Sequence, residues 1–399
     1  MHEPWRDTVC EIAMSAFVIG LASEEPITTV ANICTSNSSN PDDLSQYVLV
    51  EVRKDALTLS GTDNTVQISA VVPFADGACE SEGTFLMSSD KAANFFKSLG
   101  SKDDVSLELD ENDELLNIES DRATYSMRVR LMAENVKFPS FKMSEEQNVR
   151  QFTVEEHKLR FMLEKSVFCV SREEYRDYLK GVRFEVRGNE FTIFALDGHR
   201  MAVLDTQLAE EASEDIAFSM TLRGVTEMQK LLSNSPDRPL TLSVSENFVA
   251  TKIGMFSIAS RILKCKFPNV RGILPSKCSP ELPVDLDSLK TYVKRVSLFS
   301  NKRMNLINMC FTYNNLDIRS QNADHEIGAA RLPINYQDEK GNRDINLNAD
   351  FVKDFLNAIE TPQVVFCFAP PYTNTMLRPN IEINELGIRV RYLVSHISV

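Results

Sequence analysis

Three stretches of the chain repeat one spacing of apolar residues. Apolar side chains occur at relative positions 0, 5, 8 and 12, and the stretches begin at residues 87, 220 and 347, which gives steps of 133 and 127 residues. From the second position onward, spacings of three and four residues place these side chains on one side of a helix, which predicts a helix packed on a sheet. The positions are Met87, Ala92, Phe95 and Leu99; Met220, Val225, Met228 and Leu232; and Leu347, Val352, Phe355 and Ile359.

Two further landmarks recur at nearly the same intervals. One is a stretch of alternating apolar residues that ends in Asp or Asn, which predicts a strand with one buried face followed by a turn. The other is Lys-Phe-Pro followed by one residue and then an apolar residue. The strand landmark comprises Leu57, Leu59 and Asp63; Phe191, Ile193 and Asp197; and Leu316, Ile318 and Asn322, and the proline landmark spans Lys137 to Phe141 and Lys266 to Val270.

Three landmarks in one order at matching intervals predict a threefold internal repeat. Because proline breaks strand pairing and begins a connector, the two proline landmarks set boundaries near residues 148 and 278. We therefore predict three domains, residues 1–148, 149–278 and 279–399, a division that a chain of 399 residues allows. Each domain is expected to be an α+β unit with helices on one side of antiparallel sheet.

Composition excludes several classes of protein. An apolar content of 43% and a charged content of 25% are ordinary for a folded globular chain. The longest apolar run, Ile12 to Ala22, is too short to span a membrane and follows acidic residues, so neither a span nor a secretory signal is expected. The eight cysteines are scattered without a CxxC pair, which indicates reduced thiols in a cytoplasmic protein and no metal or other cofactor.

The net charge of −14 argues against a nucleic-acid partner unless the basic residues gather on one face. Alignment of the first helices of repeats two and three gives a core stripe of Leu159, Met162, Leu163 and Ser166, matched by Leu289, Tyr292, Val293 and Val296. Basic residues lie on the opposite arc, beyond the helix ends and on the second helices: Lys158, Arg160, Lys165, Arg172, Arg176, Arg223 and Lys230, then Lys290, Lys294, Arg295, Lys302 and Arg303, with Lys91 and Lys97 in repeat one. Any single surface helix can carry lysines on its wet face, but their recurrence predicts a basic lining suited to sequence-independent contact with duplex DNA.

The predicted lining is uneven. The second helix of repeat three carries Asp350 and Asp354 beside Lys353. The predicted N-terminal helix has Arg6 as its only basic residue, and the next one is Arg53. Its apolar stripe comprises Cys10, Met14, Phe17, Val18 and Leu21.

Several short motifs resemble a known family. Tyr178-Leu179-Lys180-Gly181, Phe184-Glu185 and Asp197-Gly198-His199-Arg200-Met201-Ala202-Val203 resemble the central domain of bacterial β clamps, the β subunits of DNA polymerase III. Phe267-Pro268, Ile273-Leu274-Pro275 and Leu59 to Asp63 agree, and the resemblance extends from about residue 48 onward. Residues 34–47, rich in Ser, Asn and Asp, lack a clear counterpart and are expected to form a surface insertion.

The resemblance implies three clamp-type domains of the processivity fold, with helices lining the inside of a ring and antiparallel sheets outside. It implies a head-to-tail homodimer that encloses duplex DNA as a sliding clamp, without catalysis. The implied partners are double-stranded DNA, the catalytic subunit of DNA polymerase III, the clamp loader, and other polymerases and repair proteins.

The resemblance also implies an apolar groove between the second and third domains that receives a short peptide from these partners. It would use Leu179, Leu196, Gly198, His199, Arg200, Met201, Pro268, Arg271, Ile273, Leu393, Val394 and Ile397. The family has Met-Pro before its final residues, whereas this chain ends Ser395-His396-Ile397-Ser398-Val399, so its peptide preference stays open.

Two alternatives remain. One is a clamp-type paralogue that serves as a protein-binding scaffold without tethering DNA. The other is an enzyme that uses Asp197 and His199 as an acid–base pair or as half of a metal site. Because no nucleophile motif, phosphate loop or second ligand cluster accompanies them, a turn aspartate and a pocket histidine explain this pair better.

Overall fold

The structure is a computed structural model of the chain. It describes residues 15–19, 25–34, 40, 43–74, 79, 82–99, 105–110, 112–120, 123–132, 137–171, 175–235, 238–275, 277–337 and 342–398. Among these residues, no helix is long and apolar enough to cross a membrane.

The predicted threefold repeat is confirmed by the order of the elements. In the described residues, each repeat consists of one strand, a helix, four strands, a second helix and three strands. Repeat one contains β1 (Ser15–Ile19), α1 (Glu25–Ala31), β2 (Tyr47–Val52), β3 (Ala56–Thr62), β4 (Val66–Pro73), β5 (Gly83–Ser88), α2 (Ser89–Ser98), β6 (Val105–Asp110), β7 (Leu115–Ser120) and β8 (Ala123–Leu131). Repeat two contains β9 (Arg150–Glu155), α3 (Glu156–Glu164), β10 (Gly181–Arg187), β11 (Glu190–Leu196), β12 (Arg200–Gln207), β13 (Ile216–Thr221), α4 (Leu222–Leu231), β14 (Pro239–Val244), β15 (Phe248–Ile253) and β16 (Phe256–Arg261). Repeat three contains β17 (Glu281–Asp285), α5 (Leu286–Val296), β18 (Leu306–Thr312), β19 (Asn315–Gln321), β20 (Ile327–Pro333), β21 (Arg343–Asn348), α6 (Ala349–Ala358), β22 (Gln363–Phe368), β23 (Asn374–Pro379) and β24 (Arg389–Ser395).

The chain forms two compact units, residues 1–147 with 248–260, and residues 148–247 with 261–399. In the first unit the strand order is β1-β6-β7-β8-β5-β2-β3-β4-β16-β15. Helices α1 and α2 pack together, and α1 also lies on β3 and β4. Gly61 permits this close approach, because a Cβ atom there would lie 2.5 Å from the carbonyl oxygen of Val30.

In the second unit, one eight-stranded sheet contains strands of both repeat two and repeat three, in the order β13-β10-β11-β12-β24-β23-β22-β17. The two repeats meet where β12 pairs antiparallel with β24, with Met201 opposite Leu393. A four-stranded sheet, β20-β19-β18-β21, and the pair β9–β14 complete this unit. Helix α3 packs on α4, and α5 packs on α6.

The strand landmark is also confirmed, since β3, β11 and β19 each end just before the predicted Asp or Asn. These side chains close the turn in the same way, because a side-chain oxygen accepts from two backbone N–H groups that follow. The donors are Thr65 and Val66 for Asp63, His199 and Arg200 for Asp197, and Asp324 and Glu326 for Asn322.

The helix landmark corresponds to α2, α4 and α6, each of which follows a strand directly. All four predicted positions are buried in repeats two and three. In repeat one, Phe96 is the buried aromatic residue, whereas Phe95 is half-buried against Tyr125. The buried aromatic position of α2 is therefore Phe96, one residue after the predicted Phe95.

The predicted N-terminal helix is wrong where the structure describes it. Residues Ser15–Ile19 form strand β1, which pairs antiparallel with β6, and the first helix begins only at Glu25. Short apolar runs suit a buried strand as well as a helix, so periodicity alone could not decide. The remaining stripe residues Cys10, Met14 and Leu21 lie outside the described residues. Helix α1 contains no Lys or Arg, so the first repeat still departs from the basic pattern.

The predicted surface insertion is only partly described. Residues 35–39, 41 and 42 lie outside the described part, whereas Leu44–Gln46 form a short 3-10 helix before β2. Leu44 is buried and packs in a cluster with Leu86 and Phe138. The end of this segment therefore belongs to the core of the first unit, which corrects the prediction for these residues.

Candidate functional site

An apolar cluster covers one face of the eight-stranded sheet where β12 meets β24. Its buried members are Leu179, Phe194, Leu196, Met201, Val203, Val270, Val365, Cys367, Met376 and Leu393, and Tyr178, Phe267, Leu274 and Cys278 pack against them. A cavity of about 440 Å³ opens beside it, lined by Gly272, Ile273, Leu274, Pro275, Cys367, Ala369, Pro370, Pro371, Thr373, Asn374, Met376 and Leu393. We call the cluster and this cavity the apolar groove. The cavity lining combines apolar side chains, such as Ile273 and Leu393, with the polar side chains of Thr373 and Asn374.

Strand alternation explains which side chains reach the groove. Along β12, Met201 and Val203 point to the groove face, and Leu393 lies opposite Met201 on β24. The connector that follows β16 ends in a short 3-10 helix, Arg271–Ile273, which forms another wall. Ile273 is 51% exposed, so this wall presents an apolar side chain to solvent.

The structure brings several predicted groove residues together. Leu179, Leu196, Met201 and Leu393 belong to the cluster, and Ile273 lines the cavity. The remaining predicted residues on this side are at the periphery: Pro268 is exposed and accepts from the N–H of Val270, and Ile397 is half-buried and donates its N–H to the carbonyl oxygen of Asn346.

Arg200, Val394 and His199 were predicted for the groove, but the structure places their side chains on the helix side of the sheet. Arg200 lies opposite Val394 in the β12–β24 pair, next to the pair of Met201 and Leu393. Because neighbouring residues of a strand point to opposite faces of the sheet, the side chains of Arg200 and Val394 point away from the groove. The guanidinium of Arg200 lies 4.5 Å from the ring of Phe351 on α6, and the ring of His199 stacks on the same residue at 6.3 Å. These three side chains therefore belong neither to the buried cluster nor to the cavity lining, unlike the predicted placement.

Arg176 was predicted for the basic lining, but it lies beside the groove. A Cβ atom on Gly198 would lie 2.8 Å from Nη2 of Arg176, and the guanidinium lies 5.9 Å from the ring of Tyr178. Gly198 has φ +92°, so glycine is needed there for both the turn and the approach of Arg176. Arg176 thus joins the polar rim of the groove. Arg172, predicted for the same lining, lies outside the described residues.

Arg271 covers another edge of the groove. Its guanidinium lies 5.2 Å from the ring of Phe194 and donates to Glu185 at 3.2 Å and to Glu190 at 3.0 Å. Burial alone would raise the pKa of Glu190, but the hydrogen bonds from Arg271 and Thr192 outweigh it and lower the pKa. The Glu190 carboxylate therefore stays ionised at neutral pH. Its ion pair with Arg271 neutralises the charge of the guanidinium above the Phe194 ring.

Arg200 instead joins repeats two and three. Its Nε donates to Asp197 at 2.8 Å, its Nη1 to Asp354 on α6 at 2.6 Å and its Nη2 to the carbonyl oxygen of Phe168 at 2.6 Å. Only 10% of the Arg200 side chain is exposed. The Asp197 carboxylate accepts from Arg200 and from two backbone N–H groups, so it serves as a structural acceptor and does not pair with the ring of His199. This geometry removes the basis for the acid–base alternative.

The basic residues of repeat two are mostly engaged with carboxylates. Lys158 pairs with Glu155, and the buried Lys165 pairs with Glu360 at 2.8 Å and with Glu164 at 3.4 Å. Arg223 and Lys230 both pair with Glu227, at 2.8 and 2.9 Å. Arg160 donates to the carbonyl oxygen of Leu232 at the end of α4. Because Lys165 is only 7% exposed, it cannot line a surface, which corrects its prediction.

Repeat three presents its positive charge differently. Lys294, Arg295, Lys302 and Arg303 are exposed on α5 and on the turn after the short 3-10 helix Ser297–Phe299. Within the described part of the chain, none of these four side chains has a carboxylate at ion-pair distance. Lys290 and Lys294 also line a surface cavity of about 480 Å³ with Lys353 of α6. We call Lys290, Lys294, Arg295, Lys302 and Arg303 the α5 basic surface.

Sequence reasoning missed several residues of the groove. Val365 and Cys367 of β22, Met376 of β23 and Val270 of the connector contribute to the cluster, together with Phe194 and Val203. The alternation of β22 and β23 predicts one buried face. It does not reveal that this face continues that of β12, because the β12–β24 pairing joins residues nearly 200 positions apart.

Three copies of one α+β unit, each with two helices and eight strands among the described residues, define a three-domain clamp-type protein. Family models for the DNA polymerase III beta subunit match the chain three times in order: the N-terminal domain over residues 25–138, the central domain over 153–269 and the C-terminal domain over 271–386. The chain therefore belongs to the DNA polymerase III beta subunit family. The match begins at residue 25, further toward the N-terminus than the motifs indicated.

Curated relatives and solved structures agree with this assignment. The chain is 24% identical to the beta sliding clamp of Haemophilus influenzae over 90% of this chain and 94% of the relative. It is 25% identical to the beta sliding clamp of Escherichia coli K12 over 79% of this chain and 83% of that one. A crystal structure of the DnaN sliding clamp of Pseudomonas aeruginosa bound to griselimycin aligns with a TM-score of 0.86 and 22% identity, covering 96% of this chain and all of that one. The Thermotoga maritima beta subunit aligns with a TM-score of 0.81 and 21% identity, covering 97% and 99%. The structural likeness establishes the fold.

The Arg200 network predicts a large loss of stability on Arg200→Met. This change leaves Asp197 and Asp354 without their partner, so we expect the free energy of unfolding to fall by about 3 kcal/mol, as when one member of a buried ion pair is removed. Urea unfolding followed by circular dichroism measures it. Arg331→Met is the control, because Arg331 also pairs with a carboxylate, Asp317, but its side chain is 63% exposed. Equal stability of the two variants would contradict the role of Arg200.

Proposed function

We propose that this chain acts as a DNA sliding clamp. Two copies close head to tail into a ring of six domains, with helices toward an enclosed duplex and sheets outside, and an apolar groove on each copy tethers partner proteins. The observation that carries this proposal is the presence of three consecutive clamp domains in one chain, each matching its own domain of the beta subunit family. The action is topological, so the chain itself needs no catalytic group and no cofactor.

Domain boundaries near residues 148 and 278 belong to the same proposal. The boundary near 148 is supported by the family matches, which leave residues 139–152 between the N-terminal and central domains. The boundary near 278 lies eight residues beyond residue 270, the single residue between the central and C-terminal matches. We also propose a location in the bacterial cytoplasm at the nucleoid. The seven cysteines that the structure describes are all free thiols, in keeping with a reducing compartment.

Repetition of strand joints supports the head-to-tail ring. Within the first unit, β16 of repeat two pairs with β4 of repeat one, and within the second unit β24 of repeat three pairs with β12 of repeat two. The strand of repeat three that corresponds to β4 and β12 is β20, the edge strand of its sheet. We infer that β8 of a second copy, the strand that corresponds to β16 and β24, pairs with this edge through residues 123–128, which pair with β7 alone, whereas β5 pairs only with residues 129–131. A heterologous contact of this kind closes a two-fold ring.

Exposed apolar residues flank that edge. Ile327, at the start of β20, is 63% exposed, and the neighbouring Leu298 and Phe299 are 77% and 38% exposed. Phe299 lies over β20, because a Cβ atom on Gly328 would be 2.7 Å from its ring. An unpaired strand edge beside apolar side chains is a surface that another chain can cover.

The α5 basic surface supports contact with duplex DNA. Its exposed cations can displace counterions from phosphates without reading bases, which suits a ring that must slide. Repeat two would contribute less, since Glu227 neutralises part of the charge of Arg223 and Lys230. The proposed lining is therefore strongest on the third domain.

The apolar groove supports tethering by a short apolar peptide. The proposed donors are the catalytic subunit of DNA polymerase III, the clamp loader, and other polymerases and repair proteins. Residues 395–398 lie beside this site, since Nε2 of His396 is 2.7 Å from Oγ1 of Thr375 and the N–H of Ser395 donates to the carbonyl oxygen of His199. Burial lowers the pKa of His396, so this residue adds no positive charge at neutral pH.

A protein-binding scaffold that does not tether DNA is the second candidate. The extensive pairing of repeat-two cations with acids and the net charge of −14 favour it. It shares the fold and the groove with a sliding clamp, so DNA retention separates the two.

The ring predicts a dimer that stays on closed DNA. Light scattering should give twice the 45.1 kDa of one chain, and Leu298→Asp should reduce the mass to that of a monomer by placing a charge in the contact. Loaded by its cognate loader, the wild-type protein should remain on nicked circular duplex at high salt and leave linear duplex.

Tyr313→Asp is the matched control, because Tyr313 is 69% exposed on a turn of the same domain and should leave the mass unchanged. A monomeric wild-type chain would reject the ring. Equal loss from circular and linear DNA would favour the scaffold.

The α5 basic surface predicts a local effect of charge on DNA binding. The triple variant Lys294→Ala, Arg295→Ala and Lys302→Ala should weaken binding to duplex and lower the slope of log K against log salt, by roughly 0.9 for each phosphate that the variant no longer neutralises. Fluorescence anisotropy at several salt concentrations measures both quantities.

A control triple variant removes three exposed lysines elsewhere, Lys252→Ala, Lys264→Ala and Lys266→Ala. It changes the net charge equally, so an equal effect on the slope would show that overall charge rather than the α5 basic surface governs binding.

The apolar groove predicts selective loss of peptide binding. Ile273→Asp places a charge on a half-exposed wall of the cavity, so it should weaken binding of a labelled apolar peptide from the cognate polymerase at least tenfold, about 1.4 kcal/mol. Ile381→Asp is the control, since Ile381 is also 51% exposed and does not line the cavity. Both variants should fold, and similar affinities for the two would argue against peptide binding at this groove.

A further inference from the structure

Two cysteines and one glutamate meet at the edge of the second unit where β17 begins. The sulfur atoms of Cys278 and Cys367 and a carboxylate oxygen of Glu281 all lie within 4.8 Å of one another. Cys367 is 89 residues from Cys278 in the sequence, so no short sequence motif indicates the cluster. Cys278 and Glu281 are three residues apart, a spacing common between two ligands of one metal ion.

Backbone pairing holds the three side chains together. Glu281 lies directly opposite Cys367 in the antiparallel pair β17–β22. Next to it, the N–H of Ser279 donates to the carbonyl oxygen of Phe368 at 2.8 Å, and the N–H of Phe368 donates to that of Pro280 at 3.2 Å. The segment that carries Cys278 is therefore tied to the strand that carries Cys367, so the ligands approach without refolding.

The separations are close to those of a tetrahedral zinc site. With zinc–sulfur bonds of about 2.3 Å, neighbouring ligands lie about 3.8 Å apart. The sulfur of Cys367 is already 3.9 Å from Oε1 of Glu281, and because no separation exceeds 4.8 Å, a contraction of at most about 1 Å is needed. Cys278 is half-buried and Glu281 is exposed, so rotation of these two side chains can supply this contraction.

The neighbouring charge also suits a cation with anionic ligands. Nη2 of Arg378 on β23 donates to Oε2 of Glu281 at 2.7 Å, which leaves Oε1 directed to Cys367. Two thiolates and one carboxylate carry three negative charges, and a divalent ion with Arg378 carries three positive charges. The bound site would be neutral, and Arg378 would orient the carboxylate as outer-shell partners of metal ligands do.

We propose that Cys278, Glu281 and Cys367 bind one zinc-class divalent cation through two sulfur atoms and one carboxylate oxygen. Each thiol gives up its proton to solvent as its sulfur binds, so two protons are released for each ion. The side chain of Glu281 is 46% exposed, so a water molecule can occupy the fourth position. Cys367 also lines the apolar groove, but metal binding does not depend on the proposed function.

Cobalt substitution tests the site in the reduced full-length protein. We expect one Co²⁺ per chain with intense visible bands of tetrahedral coordination and a sulfur-to-cobalt charge-transfer band, both displaced by Zn²⁺. Cys278→Ser and Glu281→Gln should each weaken Zn²⁺ binding, measured by competition with a chelating dye, by at least about tenfold. Proton release in weakly buffered solution should accompany binding.

Cys310→Ser is the matched control, because Cys310 is a half-buried thiol of β18 outside the cluster, and this variant should bind metal normally. Circular dichroism of every variant checks the fold. Failure of the reduced protein to bind one ion per chain would overturn the proposal, as would binding that Cys278→Ser leaves unchanged. A Cys278–Cys367 disulfide found by mass spectrometry, with no ion bound after reduction, would also overturn it.

Discussion

The pairing of β12 with β24 is the constraint on which the second unit depends. It joins strands from two different repeats into one sheet, and its register decides the direction of every side chain along both strands. With Met201 opposite Leu393, one face becomes apolar and forms the groove. With Arg200 opposite Val394, the other face receives the guanidinium that binds Asp354 of α6. A shift of one residue would exchange the two faces and destroy both features.

The polar contacts around this joint reinforce its register. Asp197 closes the turn before β12 and also receives Nε of Arg200, so the start of the strand is fixed from two directions. On β24, Tyr392 stacks on Phe355 at 4.4 Å and donates to the carbonyl oxygen of Phe351. Helix α6 is thereby held against both strands. Burial of these groups in one network favours a single arrangement, because breaking any pair leaves a buried polar group unsatisfied.

Local features of the fold could be predicted from the sequence, because they depend on residues close in the chain. Alternation found β3, β11 and β19, and apolar spacing found α2, α4 and α6. Side-chain direction across the joint could not be predicted, since it depends on a register between distant strands; Arg200 and Val394 were misplaced for this reason. Arg176 was misplaced because its position depends on Gly198, whose lack of a Cβ atom leaves space for the guanidinium. The strand β1 was missed because five residues are too few to distinguish periods of 2 and 3.6.

The charge distribution depends on which basic side chains form ion pairs with acidic ones. Acids neutralise most basic side chains of repeat two, whereas Lys294, Arg295, Lys302 and Arg303 of the α5 basic surface stay exposed in a chain with net charge −14. In a ring of the proposed kind, the acidic remainder would repel duplex from the outside, and attraction would be confined to one surface. Weak local attraction is an advantage for a protein that slides, because each phosphate contact must break as readily as it forms. Enclosure rather than affinity would then keep the ring on DNA, and few unpaired cations suffice.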